Sequence, residues 1–260
     1  MARGFNATPD YISLNSAVVT TVPMTIGMWI YPKNVSVNQD YFEINDNSNT
    51  LANAVRFEFD YAADLCGIAT RVGGSQQGLQ VQPVPMTNHQ NQWQYVACTL
   101  DGSYAGQIYF QYGTSGIGPY PCGTQNSPLS GLSRTVIGGI NSGTDSGNYA
   151  IANLADVAVW NVVLSTFEIS GLIAGIRPFR IRPKNLAAWW PLDGYASLEV
   201  DLSGNKFNGT LTGTTQVLVG PPFVSSTPRL PRLDPSPFLS MPPTPMGGTF
   251  FRRNMNIIGY

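Results

Sequence analysis

Charge is scarce in this sequence. Lys and Arg number 14 and Asp and Glu 15, together 11% of 260 residues, less than half the roughly 25% usual in soluble domains. The formal net charge of −1 leaves no basic field to hold a nucleic-acid backbone, and no acidic field either. Water must instead meet Asn, Gln, Ser, Thr and Gly. No apolar run approaches the roughly 18 residues that a membrane-crossing helix needs. The opening MARGFNATPD lacks an apolar core, so no secretory leader is expected. The Asn-X-Ser/Thr sequons at Asn6, Asn34 and Asn208 then read as chance matches. The three cysteines, Cys66, Cys98 and Cys122, are odd in number and fit no zinc spacing. That points to reduced thiols in a cytosolic assembly environment. In QYVACTL, Cys98 shares a strand face with Val96 and Leu100 and reads as core.

What the chain does contain is short β-type runs. DYISL, MTIGMWIYP, DYFEI, AVRFEFDY, LCGIATRV, WQYVACTL, GQIYFQYG, RTVIGGI and LADVAVW are rich in β-branched and aromatic residues. Turn clusters such as NDNSNT, VGGSQQG, LDGSYAG and NSGTDSGN separate them. Such spacing predicts an all-β antiparallel sandwich. In AVRFEFDY the alternation is clean: Val55, Phe57, Phe59 and Tyr61 take one face, and Arg56, Glu58 and Asp60 the other. That pattern predicts a half-buried strand with a polar, solvated outer side.

With 27 Gly and 20 Pro, long helices are excluded, yet one short helix is expected after LADVAVW. Ser165 and Glu168 have the spacing of a capping box. Leu164 and Ile169 stand where a hydrophobic staple would, and Gly175 and Pro178 close the segment. It is expected to plug one end of the sandwich. From about Val219 the composition turns proline-rich and aperiodic, as in GPPFVSSTPRLPRLDPSPFLSMPPTPMGG, which predicts an extended segment. This gives one sandwich over residues 1–219 and an extended C-terminal arm over 220–260. The arm keeps too many apolar side chains for a solvated linker. Phe238, Leu239, Phe250, Phe251, Arg252, Arg253 and Ile257 are its expected partner-binding residues.

These motifs together resemble the concanavalin A-like lectin/glucanase superfamily, in its laminin-G-like form. Trp29 to Pro32 match one characteristic strand, and Trp93, Val96, Asp101 and Gly102 a second strand and turn. Leu154, Asp156, Val157, Trp160, Asn161, Leu164, Ser165, Glu168 and Ile169 match the closing strand and helix. The resemblance spans about residues 5–215 and implies a jelly-roll β-sandwich. The stretch LAAWWPLDGYASLEVDLSGNKFNGTLTG, Leu186 to Gly213, looks like a segment that begins many members. Its late position resembles a circular permutation, with residues 186–215 completing sheets that residues 1–15 open.

Glucanases of this superfamily carry carboxylates as E-x-D-x-x-E on one strand face. Glu58 and Asp60 match the first two positions, but Ala63 replaces the last carboxylate, so no enzyme is expected. The single histidine, His89, lies in the polar loop MTNHQNQW and reads as a surface residue rather than part of a triad. No cofactor is expected. Ca²⁺, which laminin-G-like domains hold at their rim, has Asp40, Asp46, Asp101, Asp145 and Asp156 as candidate ligands, although none stand in a D-x-D run. Asp101, Asp156, Asp193 and Asp201 read as turn and strand-end residues fixing backbone amides. Trp93, Tyr104, Tyr120 and Tyr149 could stack on sugar rings, but form no convergent set in sequence.

The leading expectation is a non-enzymatic structural protein of a virus particle, a bacteriophage capsid decoration or accessory shell protein. Its partners would be other virion proteins, such as a major capsid protein, and further copies of itself. Neither nucleic acid nor membrane is an expected partner, and the location would be the virion, assembled in the host cytoplasm. The alternative is a lectin-like carbohydrate-binding module attached to a cell-surface glycan. A glycoside hydrolase with an incomplete motif stands third.

Overall fold

Period-two alternation accounts for most of the architecture. The computed structural model describes residues 1–6, 9–48, 52–79, 89–112, 118–124, 128–140, 148–194 and 197–222, all within one compact unit that ends at Val224. The expected arm residues, Phe238 through Ile257, lie outside the described residues. In chain order the strands are β1 (Ala2–Phe5), β2 (Tyr11–Leu14), β3 (Met24–Pro32), β4 (Gln39–Asn45), β5 (Ala54–Asp60), β6 (Leu65–Val72), β7 (Ser75–Leu79) and β8 (Gln94–Leu100). Then follow β9 (Ala105–Tyr112), β10 (Tyr120–Thr124), β11 (Arg134–Ile137), β12 (Ala152–Trp160) and the helix α1 (Thr166–Ile173). The chain continues with β13 (Leu186–Trp190), β14 (Leu198–Glu199), β15 (Gly209–Thr212) and β16 (Thr215–Val217). Among the described residues these form two antiparallel sheets. The first runs β10-β9-β8-β3-β12-β1-β16 with β13 also on β12, and the second β14-β15-β2-β11-β4-β5-β6-β7. The chain is an all-β jelly-roll sandwich.

The interior is made by the facing sides of the two sheets. Ile26, Met28 and Ile30 of β3, Val96 and Leu100 of β8, and Val157 and Val159 of β12 pack with Phe42, Val55, Phe57, Phe59 and Ile68. Each such side chain, once fully buried, contributes about 1.5–3 kcal/mol. Cys66, Cys98 and Cys122 belong to this core and are all free thiols. Burial pushes Cys122 up to about 12 and the other two higher still, so they pack as small neutral hydrophobes.

The outer side of the first sheet is not left to water. Trp29, Tyr95, Ala97, Tyr109, Ala158 and Trp160 point away from the interior, and Leu164, Ile169 and Leu172 pack on them. Helix α1 therefore covers a sheet face instead of plugging an end. Thr25 positions it, since its hydroxyl donates to the Val162 carbonyl at 2.7 Å and accepts from the Leu164 amide at 3.0 Å. The capping box forms: Glu168 N–H donates to Ser165 Oγ at 3.3 Å, and Ser165 N–H donates to Glu168 Oε2 at 2.8 Å.

Residues 186–217 occupy an edge of each sheet. β13 pairs with the second half of β12, β15 pairs with β2, and β16 pairs with β1. One buried ion pair ties this late segment to the first strand. Arg3 donates from Nε and Nη2 to Glu199 Oε2 at 3.1 and 2.8 Å, while Glu199 Oε1 accepts the Leu192 amide at 2.9 Å. Both side chains are 4% exposed. Removing one member of such a pair strands the other charge in a low dielectric, at a cost of about 3–5 kcal/mol. Arg3→Met should therefore lower the urea midpoint sharply. The double variant R3M/E199L should recover most of the loss, and additive effects of the two substitutions would disprove the coupling.

Candidate binding site

The site begins with a bulge. Register between β12 and β3 shifts between Ala155 and Ala158, and Asp156 sits in that break at φ 48°, a left-handed conformation that Asp tolerates better than most residues. Its amide donates to the Pro191 carbonyl at 3.1 Å. Its carboxylate leaves the strand on the outer side and gathers two later segments. Trp189 Nε1 donates to Oδ1 at 3.0 Å, and Arg177 Nη1 donates to Oδ2 at 2.6 Å. Asp156 thus anchors side chains, where the sequence pattern suggested that it fixes backbone amides. Burial raises its carboxyl above the usual range, and Arg177 and the indole pull it back.

Beyond Arg177 the chain makes two single turns of 3₁₀ helix, Pro178–Arg180 and Pro183–Asn185. Each opens on a proline, whose fixed φ suits a helical start. Arg177, just before the first, is extended, while Arg182, before the second, is left-handed at φ 44°. That conformation is held from outside, because Arg182 Nε donates to Glu168 of the capping box and Trp160 Nε1 donates to the Ile181 carbonyl at 2.8 Å. The segment is consequently pinned at 177, 181 and 182. It presents Phe179, 45% exposed, with its ring centroid 5.7 Å from Trp189 and 30° from parallel.

Between these elements lies a cleft of about 380 Å³ lined by Asp156, Arg177, Phe179, Trp189, Asp193 and Leu202, among others. It combines one half-exposed aromatic ring, a guanidinium and the exposed carboxylate of Asp193. That is a composition able to stack on a ring and exchange hydrogen bonds with hydroxyl groups. A second cleft of about 340 Å³, along Ser13, Asn15, Lys206, Asn208 and Thr210, is polar, and its one aromatic residue, Phe207, packs half-buried against the core.

The residues singled out from the sequence are scattered. Tyr149 stacks with Tyr11 at 6.3 Å, Trp93 lies against Tyr31 at 5.5 Å, and Tyr104 and Tyr120 pack partly buried on the core. Trp29, Trp160 and Trp189 are buried. His89 is also buried, not on the surface, with its ring 6.0 Å from Phe110, and burial lowers its pKa. Asp101 accepts the Ser103 and Ala105 amides, and Asp201 those of Trp189, Ser203 and Phe207, so both hold turns as expected. Asp46 is enclosed by Ser48 and Asn53. Asp145 lies outside the described residues. Among the described residues no three His, Cys, Asp or Glu side chains gather to hold a metal ion.

The polar face of β5 is also unlike its expected form. Arg56 is 5% exposed, and Asp40 and Glu43 of β4, which pair across from Glu58 and Arg56, are fully buried. The face is an enclosed ion network rather than a solvated one. Arg56 Nη2 lies 3.4 Å from Glu58 and its Nη1 3.9 Å from Asp40. Burial holds the Asp40 carboxyl well above the usual range, Arg56 opposes this, and Glu58 and Glu43 add to it. Asp60 leaves the face to cap a turn, accepting from Ala62 and Ala63. The cross-strand neighbour of Glu58 is therefore Asp40, a carboxylate that a search along one strand does not reach.

The chain matches the laminin-G model of the concanavalin A-like lectin/glucanases superfamily over residues 6–170 and belongs to that superfamily. Comparison with curated proteins finds no match. Among solved structures, a Bacteroides ovatus protein put forward as carbohydrate-binding is similar at 18% identity and TM-score 0.56, over 83% of this chain and 59% of that one. The chain thus spans 59% of that protein's length. The CBM40 module of the Ruminococcus gnavus IT-sialidase is similar at 12% identity and TM-score 0.51, over 66% and 95% of the two chains. The enzymatically active domain of tailspike protein 2 from bacteriophage CBA120 is similar at 15% identity and TM-score 0.50, over 69% and 28%. At these identities the likeness is one of fold.

Two substitutions test the anchoring described here. Asp156→Asn keeps an acceptor for the indole and suits the left-handed backbone, so it should cost under about 1 kcal/mol, whereas Asp156→Ala should cost about 2–3 kcal/mol. Arg56→Met deprives Asp40 and Glu58 of their nearest guanidinium and should cost about 3–5 kcal/mol at neutral pH. With the folded Asp40 pKa, already raised by burial, no longer lowered by Arg56, the native state binds more protons than the unfolded chain above about pH 4, so stability must rise as pH falls. Denaturant titrations of R56M between pH 8 and pH 4 should show the defect shrinking; a constant or growing defect would exclude this account.

Proposed function

We propose that this chain is a non-catalytic carbohydrate-binding module whose ligand lies in the cleft between Phe179, Trp189 and Asp193. The observation that carries this reading is the pairing of a half-exposed aromatic ring with an anchored guanidinium and the exposed carboxylate of Asp193 in one cleft. Sugar rings offer apolar C–H faces to aromatic surfaces and hydroxyl groups to charged donors and acceptors, so a site of this kind serves both. Support from comparison is of the same kind, since carbohydrate binding is named for two of the proteins that share the fold.

The non-catalytic part rests on Ala63 in place of a third carboxylate and on the enclosure of Asp40 and Glu43, which a polymeric substrate does not reach. A virion setting is a second reading. It is favoured by Leu218 and Val219, 77% and 73% exposed, leading into the apolar, proline-rich residues 220–260, and by the occurrence of the fold in a phage tailspike. In that setting the sandwich would recognise a surface glycan while the arm holds neighbouring virion subunits.

The full chain should retain a subset of immobilised glycans. Phe179→Ala should weaken that retention about five- to tenfold, as expected for loss of a contact of roughly 1 kcal/mol. Soluble β-glucans should remain uncleaved. Retention unchanged by F179A would remove the cleft from consideration, and turnover abolished by Glu58→Gln would make the protein an enzyme.

A further inference from the structure

Residues 177–184, RPFRIRPK, hold four of the ten Lys and Arg side chains in residues 1–222, where Asp and Glu number fourteen. Four cations thus lie in one short strip, while Asp10, Asp40, Glu43, Asp156, Glu199 and Asp201 are buried, and a local field of this kind selects ligands by charge. The four do not share one role. Arg177 is bound to Asp156 and Arg182 to Glu168, and these two fix the strip to β12 and to the helix cap. Arg180 and Lys184 are exposed, and among the described residues neither has a carboxylate partner. The Arg180 guanidinium stands over the Phe179 ring, 5.6 Å from its centre, and so next to the cleft that Phe179 lines. Two cations spent on anchoring thus leave two pointing to solvent from a backbone that has little freedom left to lose on binding.

Building on the carbohydrate reading above, we infer that the cleft is specific for acidic saccharides, with the carboxylate or sulfate of the sugar held by Arg180 and Lys184 next to Phe179. A single exposed ring and a cleft of about 380 Å³ suit one or two sugar units. A long polyanion such as a nucleic acid would extend its phosphates past the strip, where the described cations are few and scattered. The chain's own residues 223–260 are a poor occupant as well, because they carry four arginines and one aspartate.

The test is calorimetric titration of the full chain with three oligosaccharides of equal length: an oligogalacturonate, a sulfated chondroitin fragment and a neutral cello-oligosaccharide. At least one acidic probe should bind tenfold or more tightly than the neutral one, with affinity falling as salt rises from 50 to 500 mM. Which acidic probe wins distinguishes carboxylate from sulfate. The exposed pair R180E/K184E should lose at least tenfold on the acidic probe, with unchanged affinity for the neutral one and an unchanged Tm. Neutral and acidic probes bound equally, or an acidic probe insensitive to R180E/K184E, would overturn the acidic specificity and leave the carbohydrate reading standing. A single-stranded oligonucleotide bound more tightly than either acidic sugar would overturn the inference in favour of a nucleic-acid ligand. Failure of all three sugars would overturn both readings together.

Discussion

One strand edge constrains this molecule. β12 lies beside β3 along one side, but its other side is divided between two short strands from opposite ends of the chain. β1 takes Ala152–Leu154 and β13 takes Val157–Trp160. An edge left open there would expose unpaired amides and carbonyls in the middle of a sheet. The division needs a break in the ladder, and Asp156 supplies it by adopting a left-handed conformation at the bulge. Backbone strain of this kind costs about 1–3 kcal/mol. It is offset by what the turned-out carboxylate then holds, the Trp189 indole and the Arg177 guanidinium. Closing the sheet and building the cleft are the same event.

Scarcity of charge gives the few ion pairs unusual weight. Arg3 with Glu199, Arg56 with Asp40 and Glu58, and Asp156 with Arg177 all place at least one partner out of water. Buried pairs add little net stability over apolar residues of similar size, because desolvation offsets attraction. Their effect is selective. A one-residue slip of β1 would turn Arg3 to the opposite face and leave Glu199 buried without its cation, so the correct register is strongly preferred. With most charges placed inside or along the sheets, the strip 177–184 remains as a concentrated cationic surface.

Elements governed by neighbours in sequence were legible. The alternation of AVRFEFDY placed Val55, Phe57 and Phe59 in the core, MTIGMWIYP and LCGIATRV became β3 and β6 with those bounds, and the Ser165–Glu168 box caps a real helix. Other elements left little trace. β1 is four residues, ARGF, with a glycine and a charged residue, yet all four are buried, because β12 and β16 enclose it and Glu199 neutralises Arg3. β10 contains a proline and a glycine and exists as the edge partner of β9. The segment RPFRIRPK was not singled out in the sequence, because nothing local marks four cations around one phenylalanine as a site. Asp156 is 21 residues from Arg177 and 33 from Trp189.

By itself the sequence determined the class of fold, most strand positions, the capped helix and the membership of the core, because each follows from side-chain periodicity or hydrogen bonds within a few residues. It also determined the absence of any strong overall field. Tertiary structure alone decided what lies on each face. Period two states which residues share a side, but not what is stacked upon that side, and so Asp40, Glu43 and Arg56 proved enclosed and helix α1 came to rest on aromatic residues of the outer sheet. The cleft belongs to the same category. It exists only because a bulge at position 156 turns one carboxylate outward, where two distant segments converge on it.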